Sequence, residues 1–294
     1  MAEESKRRKE NKPGELFVDS SCIDCDTCRW MAPEFYGRLG DQSAVIKQPV
    51  TEEEKFQAMQ ALFSCPTASI GYLDKDVDFK IVQESFPLLI EDNVYHCGYH
   101  SKKSFGGTSY FIKREEGNIL VDSPRFTMSL IKRLEELGGL KYIFLTHKDD
   151  VADHEKFAKH FNAARIIHKD ELCSSIPEAE IVITEHHKMK IDETEDSPLI
   201  IPTPGHTKGH LCLLYKNKFL FTGDHIAYSK KLNQLVAFRR HCHYSWDKLY
   251  ESVENLLKID FEWILPGHGR RIKAHPQAFK AHIEKCLQWM ETVA

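Results

Sequence analysis

The sequence predicts a small α+β module followed by a larger α/β domain, and three observations carry that prediction. Four of the nine cysteines fall in one tight pattern that closes at Cys65. Beyond about residue 95, runs with strand character alternate with runs at helical spacing. Several of the later strand-like runs end in a polar cluster that carries a histidine or an aspartate. At 294 residues, 41% hydrophobic and 29% charged, the chain suits a large domain plus a small one, and disorder, collagen and coiled coil are excluded. The expected division is a polar tail over residues 1–13, a small domain over 14–80 and a large domain over 81–294.

The tail mixes Glu3, Glu4 and Glu10 with Lys6, Arg7, Arg8, Lys9 and Lys12, lacks the apolar core of a secretory signal, and is expected to be solvated. Apolar runs such as residues 142–145 and 211–215 fall far short of the roughly 20 residues that cross a bilayer, so no membrane span is expected. Residues 1–80 carry 11 Lys and Arg against 15 Asp and Glu, whereas the remainder carries 29 of each. Without a basic stripe, nucleic acid is a poor partner, while the acidic first part suits a basic redox protein. Cysteines grouped for metal binding rather than for disulfides predict a reducing compartment, hence a cytoplasmic location.

In the small module, Cys22, Cys25 and Cys28 stand at C-x-x-C-x-x-C spacing, and Cys65-Pro66 follows after 36 residues. A short loop can supply three thiolates to three corner irons of a cluster, and a remote cysteine closes the fourth. Thr51 with Glu54 signals a capping box, and Phe56, Met59 and Phe63 recur on one face of the helix that would deliver Cys65. Residues 15–19 and 43–47 read as short strands. Over residues 14–75 this pattern resembles a small single-cluster bacterial-type ferredoxin, which implies a 4Fe-4S cluster on Cys22, Cys25, Cys28 and Cys65. A structural zinc ion on the same four thiolates is the alternative, although zinc sites usually pair two C-x-x-C knuckles.

In the larger part, residues 109–113 and 118–122 read as strands, a helix is expected over 127–137 before Gly138-Gly139, and residues 141–145 form the next strand. Polar clusters then follow strands at Thr146-His147, Thr203-Pro204-Gly205-His206, Thr222-Gly223-Asp224 and Pro266-Gly267-His268. Side chains at strand ends can converge on one metal site. These four motifs, in this order, resemble the metallo-β-lactamase superfamily over residues 90–270. The resemblance implies an αββα sandwich with ligands on the loops of one edge. By it, His147 and His206 serve a first metal, Asp224 bridges, and His268 serves a second.

The first motif departs from the family's H-x-H-x-D-H, reading His147-Lys148-Asp149-Asp150-Val151-Ala152-Asp153-His154. With a two-residue insertion, Asp149 replaces the second histidine, and Asp153 and His154 take the closing positions, with Asp153 as the catalytic aspartate that orients water. Carboxylate can replace imidazole around a divalent ion, which favours this alignment. Without a gap, Val151 and Ala152 fall at the closing positions and at most one strong site remains; Asp153 is then a helix N-cap and His154 a first-turn residue. A carboxylate at the second position is also similar to the flavodiiron oxygen reductases, which bind two irons in this fold, although no flavodoxin-like segment is present here.

His210 is expected to hydrogen-bond to backbone, and Arg239, Arg240, His241, Cys242 and His243 either line a pocket or form the loop before a helix capped by Ser245. The expected function is a metal-dependent, hydrolase-like enzyme coupled to a redox module, with one or two divalent ions, zinc or iron, a small-molecule substrate and a redox partner protein. An iron-dependent oxidoreductase fed by the cluster is the alternative. A carrier or sensor with a degenerate metal site is the reading without enzymatic activity.

Overall fold

A computed structural model of the chain describes residues 2–74 and 77–294. Met1 of the expected tail, and Lys75 and Asp76 of the expected small domain, lie outside the described residues. The chain divides into two compact units that do not follow sequence order. One comprises residues 1–113 and 124–139, the other residues 114–123 and 140–294.

In the first unit, strand Leu16–Val18 pairs antiparallel with Ile70–Tyr72, and Tyr36–Leu39 forms a hairpin with Gln42–Val45. Helix Glu52–Ser64 begins as its capping box predicts: Thr51 Oγ1 accepts from the Glu54 amide at 3.2 Å, and the Glu54 carboxylate accepts from the Thr51 amide at 3.3 Å. Its face buries Ala58, Met59 and Ala61, with Phe56 and Phe63 partly buried beside them, and the helix ends at Cys65. The first residues are not a loose tail. Asn11 is buried, with its Nδ2 donating to the Val18 carbonyl and its Oδ1 accepting from the Val18 and Val45 amides. Arg8 donates to the carbonyls of Leu39 and Ser43. Charge alone reads as solvated, but these groups complete backbone hydrogen bonds at the strand edges. The unit also holds a three-stranded antiparallel meander of Leu88–Glu91, Val94–His96 and Tyr110–Ile112, and helix Met128–Glu136.

In the second unit, Ile119–Val121, Tyr142–Phe144, Ala164–His168 and Ile181–Ile183 form a parallel series. A six-stranded mixed sheet runs in the order Met189–Lys190, Leu199–Pro202, Leu211–Tyr215, Phe219–Gly223, Trp263–Pro266, Ile272–Lys273. Helices Trp246–Asn255 and Pro276–Thr292 cover this sheet. Phe279, Ile283, Cys286, Leu287 and Met290 recur at spacings of three and four on one face, and meet Ile201, Leu214, Leu220 and Ile264 of the sheet. Each fully buried large side chain contributes about 1.5–3 kcal/mol. Ser245 caps the first of these helices, accepting from the Lys248 amide at 3.2 Å.

Candidate metal centres

Both candidate centres sit where regular elements give way to loops, and each lies within one unit. In the first unit, Cys22, Cys25, Cys28 and Cys65 line a single cavity together with Val18, Ile23, Ser43, Pro66 and Ile70. The cysteine loop is held by Arg29, whose guanidinium donates to Asp26 and Asp24 at 2.6 Å and to Ser43 Oγ at 2.7 Å. Asp24 and Asp26 take left-handed backbone, which wraps the loop tightly. Burial pushes the Cys25 thiol up to about 11 and Cys28 higher still, so bare thiolates at these two positions would be costly. The Ser69 amide already donates to Cys65 Sγ at 3.3 Å. Four converging sulfurs in an apolar cavity, with an amide donor aimed at one of them, fit an iron–sulfur cluster.

In the second unit, His147 follows strand Tyr142–Phe144 by three residues and opens a 3-10 turn over Lys148–Asp150. Its Nδ1 lies 2.9 Å from Thr146 Oγ1, and that hydroxyl lies 3.0 Å from both oxygens of Asp122. The carboxylate accepts from the hydroxyl, so His147 Nδ1 carries the proton and its Nε2 presents a lone pair to the site. Burial lowers His147 to about 4, keeping the ring neutral, and pushes Asp122 up to about 7.

Four further side chains converge there. His147 Nε2 lies 3.7 Å from Asp224 Oδ2 and 3.9 Å from Asp149 Oδ2; His206 Nε2 lies 3.7 Å and 3.6 Å from the same two oxygens. These separations are too long for hydrogen bonds. They are close to the roughly 3.4 Å between two ligand atoms that share one ion at about 2.1 Å in tetrahedral geometry. His268 Nδ1 lies 2.8 Å from Asp224 Oδ1, and its amide donates to the same oxygen at 3.0 Å. Burial opposes ionisation of Asp224, but His268, His147 and His206 hold it well below the usual carboxylate range. His210, as expected, is structural: its Nδ1 meets Thr203 Oγ1 at 2.9 Å and its Nε2 accepts from the Asp224 amide at 3.3 Å.

The structure adds Asp150, which the sequence reading passed over. It is buried, its Oδ2 lies 3.9 Å from His268 Nδ1, and neither carboxylate oxygen has a hydrogen-bond partner. Burial raises it well above the usual range, with Asp224, Asp122 and Asp149 adding to the effect and His268 opposing it. Gly267 borders it so closely that a Cβ there would fall 2.6 Å from Asp150 Oδ2 and 3.0 Å from Asp224 Oδ1. Two groups with metal-ligand spacing result, His147–Asp149–His206 and His147–Asp150–Asp224. Buried imidazole nitrogens and carboxylate oxygens with no partner, facing one another, fit a divalent cation.

Neither group includes Asp153 or His154. Asp153 stands at the start of helix His154–Phe161 with its Oδ1 3.2 Å from Lys156 Nζ, and His154 Nε2 meets the Ser175 carbonyl at 3.2 Å. The gapped alignment carries them past the site because Ala152, in left-handed backbone, turns the chain into the helix. Asp153 occupies the N-cap position, but its side chain accepts no helix amide. Glu171, also passed over, is fully buried; Oε2 accepts from the Lys148 amide at 3.0 Å and Oε1 from the Gly209 amide at 2.7 Å. It braces the loop of His147, Asp149 and Asp150 against the loop of His206. At the rim, His243 is exposed, with its ring 5.3 Å from that of His206 and its amide donating to the His206 carbonyl.

Strand-end histidines and aspartates gathered beside strands of an α/β framework form a candidate metal site. Residues 104–268 match the metallo-beta-lactamase superfamily, more than half of the chain, and the chain belongs to that superfamily. Residues 18–72 match the 4Fe-4S single cluster domain of ferredoxin I. The chain is 25% identical over 207 residues to the protein YobT of Bacillus subtilis (strain 168), spanning 60% of this chain and 88% of that one. It is 33% identical over 121 residues to hydroxyacylglutathione hydrolase of Pelagibacter ubique (strain HTCC1062), 40% of this chain and about half, 49%, of that enzyme. Among solved structures, DIM-1 metallo-β-lactamase exposed to ceftazidime is similar in fold, with 18% identity, 70% of this chain and 96% of that chain covered, and a TM-score of 0.55. VMB-1 is similar to the same degree, with 14% identity, 70% and 95% coverage and a TM-score of 0.55. No described helix is long and apolar enough to cross a membrane.

Proposed function

We propose that the chain is a metal-dependent enzyme of hydrolase type, redox-coupled through a 4Fe-4S cluster on Cys22, Cys25, Cys28 and Cys65. The observation that carries the reading is the set of buried, partnerless ligand atoms on His147, His206 and Asp150, facing Asp149, Asp224 and His268. A divalent ion held there would supply Lewis acidity toward a carbonyl or phosphoryl oxygen and would lower the pKa of water to about 7. His147, Asp149, His206 and Asp224 would hold it, with Asp150 and His268 completing the set. In this reading Asp150, rather than Asp153, would be the carboxylate that orients the attacking water and receives its proton when it is not itself bound to the ion. Asp122 and Thr146 keep His147 in the required tautomer. The substrate is a small molecule, and electrons exchange with a redox partner protein.

Three carboxylates against three histidines make a harder donor set than zinc hydrolases need, and this favours iron and an oxidoreductase as the second reading. Anaerobic metal and acid-labile sulfide analysis tests both. The Cys22→Ala, Cys25→Ala double variant is expected to lose sulfide and cluster iron while retaining one or two equivalents of another metal or of residual iron. Asp150→Ala and His206→Ala should lose that remaining metal, and Asp153→Asn should keep it. If the double variant retains no metal, the enzyme reading fails and an electron carrier or sensor takes its place. If Asp153→Asn loses metal while Asp150→Ala keeps it, the ligand assignment is wrong.

A further inference from the structure

The residues that face Cys25 come in part from outside the matched cluster domain. Thr27 Oγ1 lies 3.4 Å from Cys25 Sγ and 3.4 Å from His100 Nδ1. His100 Nδ1 lies 2.7 Å from the Gly106 carbonyl oxygen, and His100 Nε2 lies 2.8 Å from His96 Nε2. Thr27, His96 and His100 are buried, and the Trp30 ring stands 5.2 Å from His96 and 6.2 Å from His100. Gly106 fixes the approach: in its left-handed backbone, a Cβ would fall 2.9 Å from Cys25 Cβ and 3.2 Å from Cys25 Sγ.

Hydrogen-bond chemistry gives this row a direction. A carbonyl only accepts, so His100 Nδ1 carries a proton. With both imidazoles neutral, His100 Nε2 is then the acceptor and His96 Nε2 the donor. The His100 Nδ1 proton, shared between Gly106 and Thr27, turns a Thr27 lone pair toward His100 and leaves the hydroxyl proton to point at Cys25. A cysteine that binds iron is a thiolate and can only accept.

We propose that His96, His100 and Thr27 form a chain of donors directed at the Cys25 thiolate, and that this chain sets how readily the cluster takes up an electron. Hydrogen bonds to cluster sulfurs stabilise the more negative, reduced state, and successive donors polarise one another. Thr27 and the two histidines are positioning residues. They touch neither iron nor substrate, and the histidines act through Thr27. The proposal rests on the cluster reading above, and the test separates the two.

The experiment uses the full chain, purified anaerobically, with iron and sulfide content, the electron paramagnetic resonance signal after dithionite reduction, and the midpoint potential measured by redox titration. Thr27→Val and His96→Leu are expected to keep wild-type iron and sulfide and to shift the potential to more negative values, the shift being larger for Thr27→Val. Thr27→Ser, which restores the hydroxyl, should titrate with the wild type. A fully loaded Thr27→Val or His96→Leu protein with the wild-type potential overturns the donor chain. If Thr27→Val assembles no cluster, His96→Leu, two links away from the sulfur, decides. If the wild type itself contains no sulfide, the cluster reading fails and the chain falls with it.

Discussion

Replacing Glu171 by Gln removes one charge and almost no volume, so it isolates the brace between the ligand-bearing loops. Both carboxylate oxygens accept backbone amides, from Lys148 at 3.0 Å and from Gly209 at 2.7 Å, in a fully buried setting. Glutamine keeps one acceptor and turns an NH2 toward the other amide, so two donors face each other. One hydrogen bond to a charged acceptor, worth about 1.5–3 kcal/mol, is lost, and a buried amide is left unsatisfied at a further 1–3 kcal/mol or so. The expected cost is therefore about 3 kcal/mol in urea unfolding of the second unit. Because the two loops carry His147, Asp149 and Asp150 on one side and His206 on the other, metal affinity should fall roughly 10- to 100-fold, as for other residues that orient ligands. Competition with a chromophoric chelator reads that affinity, and sulfide content reports that the cysteine site is intact. The neighbouring Lys208–Asp170 pair spans the same segments at 3.3 Å, but Lys208 is largely exposed, so Lys208→Ala should change stability by under about 1 kcal/mol. A Glu171→Gln protein within about 0.5 kcal/mol of wild type, with unchanged metal affinity, would refute the brace.

Two further expectations follow from packing and charge. Gly267→Ala places a methyl group 2.6 Å from Asp150 Oδ2 and should abolish stoichiometric metal binding in the second unit while sparing the cluster, as read by metal and sulfide analysis. Arg114, its side chain fully buried, pairs with Asp192 at 3.2 Å and Asp196 at 2.9 Å; burial opposes their ionisation, but Thr194 and Arg114 hold Asp192, and Arg114 holds Asp196, below the ordinary range. A carboxyl depressed in the folded state stabilises above its unfolded pKa of about 3.9 and loses that contribution as pH falls below it. The unfolding midpoint should therefore drop more steeply below about pH 4 in wild type than in Asp192→Asn, Asp196→Asn; equal slopes would show that the pair carries no linkage.

Much of the site could be read from residue types at fixed spacing, and the exceptions have local causes. The capping box at Thr51 and Glu54 and the cap at Ser245 follow from short-range patterns, whereas the grouping of His147, His206, Asp224 and His268 follows from the family resemblance of four motifs in order. Asp150 did not stand out, because successive side chains in a 3-10 turn are about 120° apart and two adjacent aspartates can both approach one site. Asp153 and His154 had the right types, but the left-handed turn at Ala152 moved them onto a helix. Glu171 sits in the charged run Lys169-Asp170-Glu171, which reads as solvated; what buries it is a pair of backbone amides from distant loops. His96 and His100 lie outside the segment that resembles a ferredoxin, so no cysteine spacing points to them.

The chain passes between its two compact units at three points, after Lys113, Ser123 and Gly139, before it finishes in the second. A module added at one end of a gene would leave a single crossing. Three crossings mean that the boundary between the units does not fall at one point near residue 80, because the meander and the Met128–Glu136 helix, which come later in the chain, are grouped with the cysteine-bearing segment.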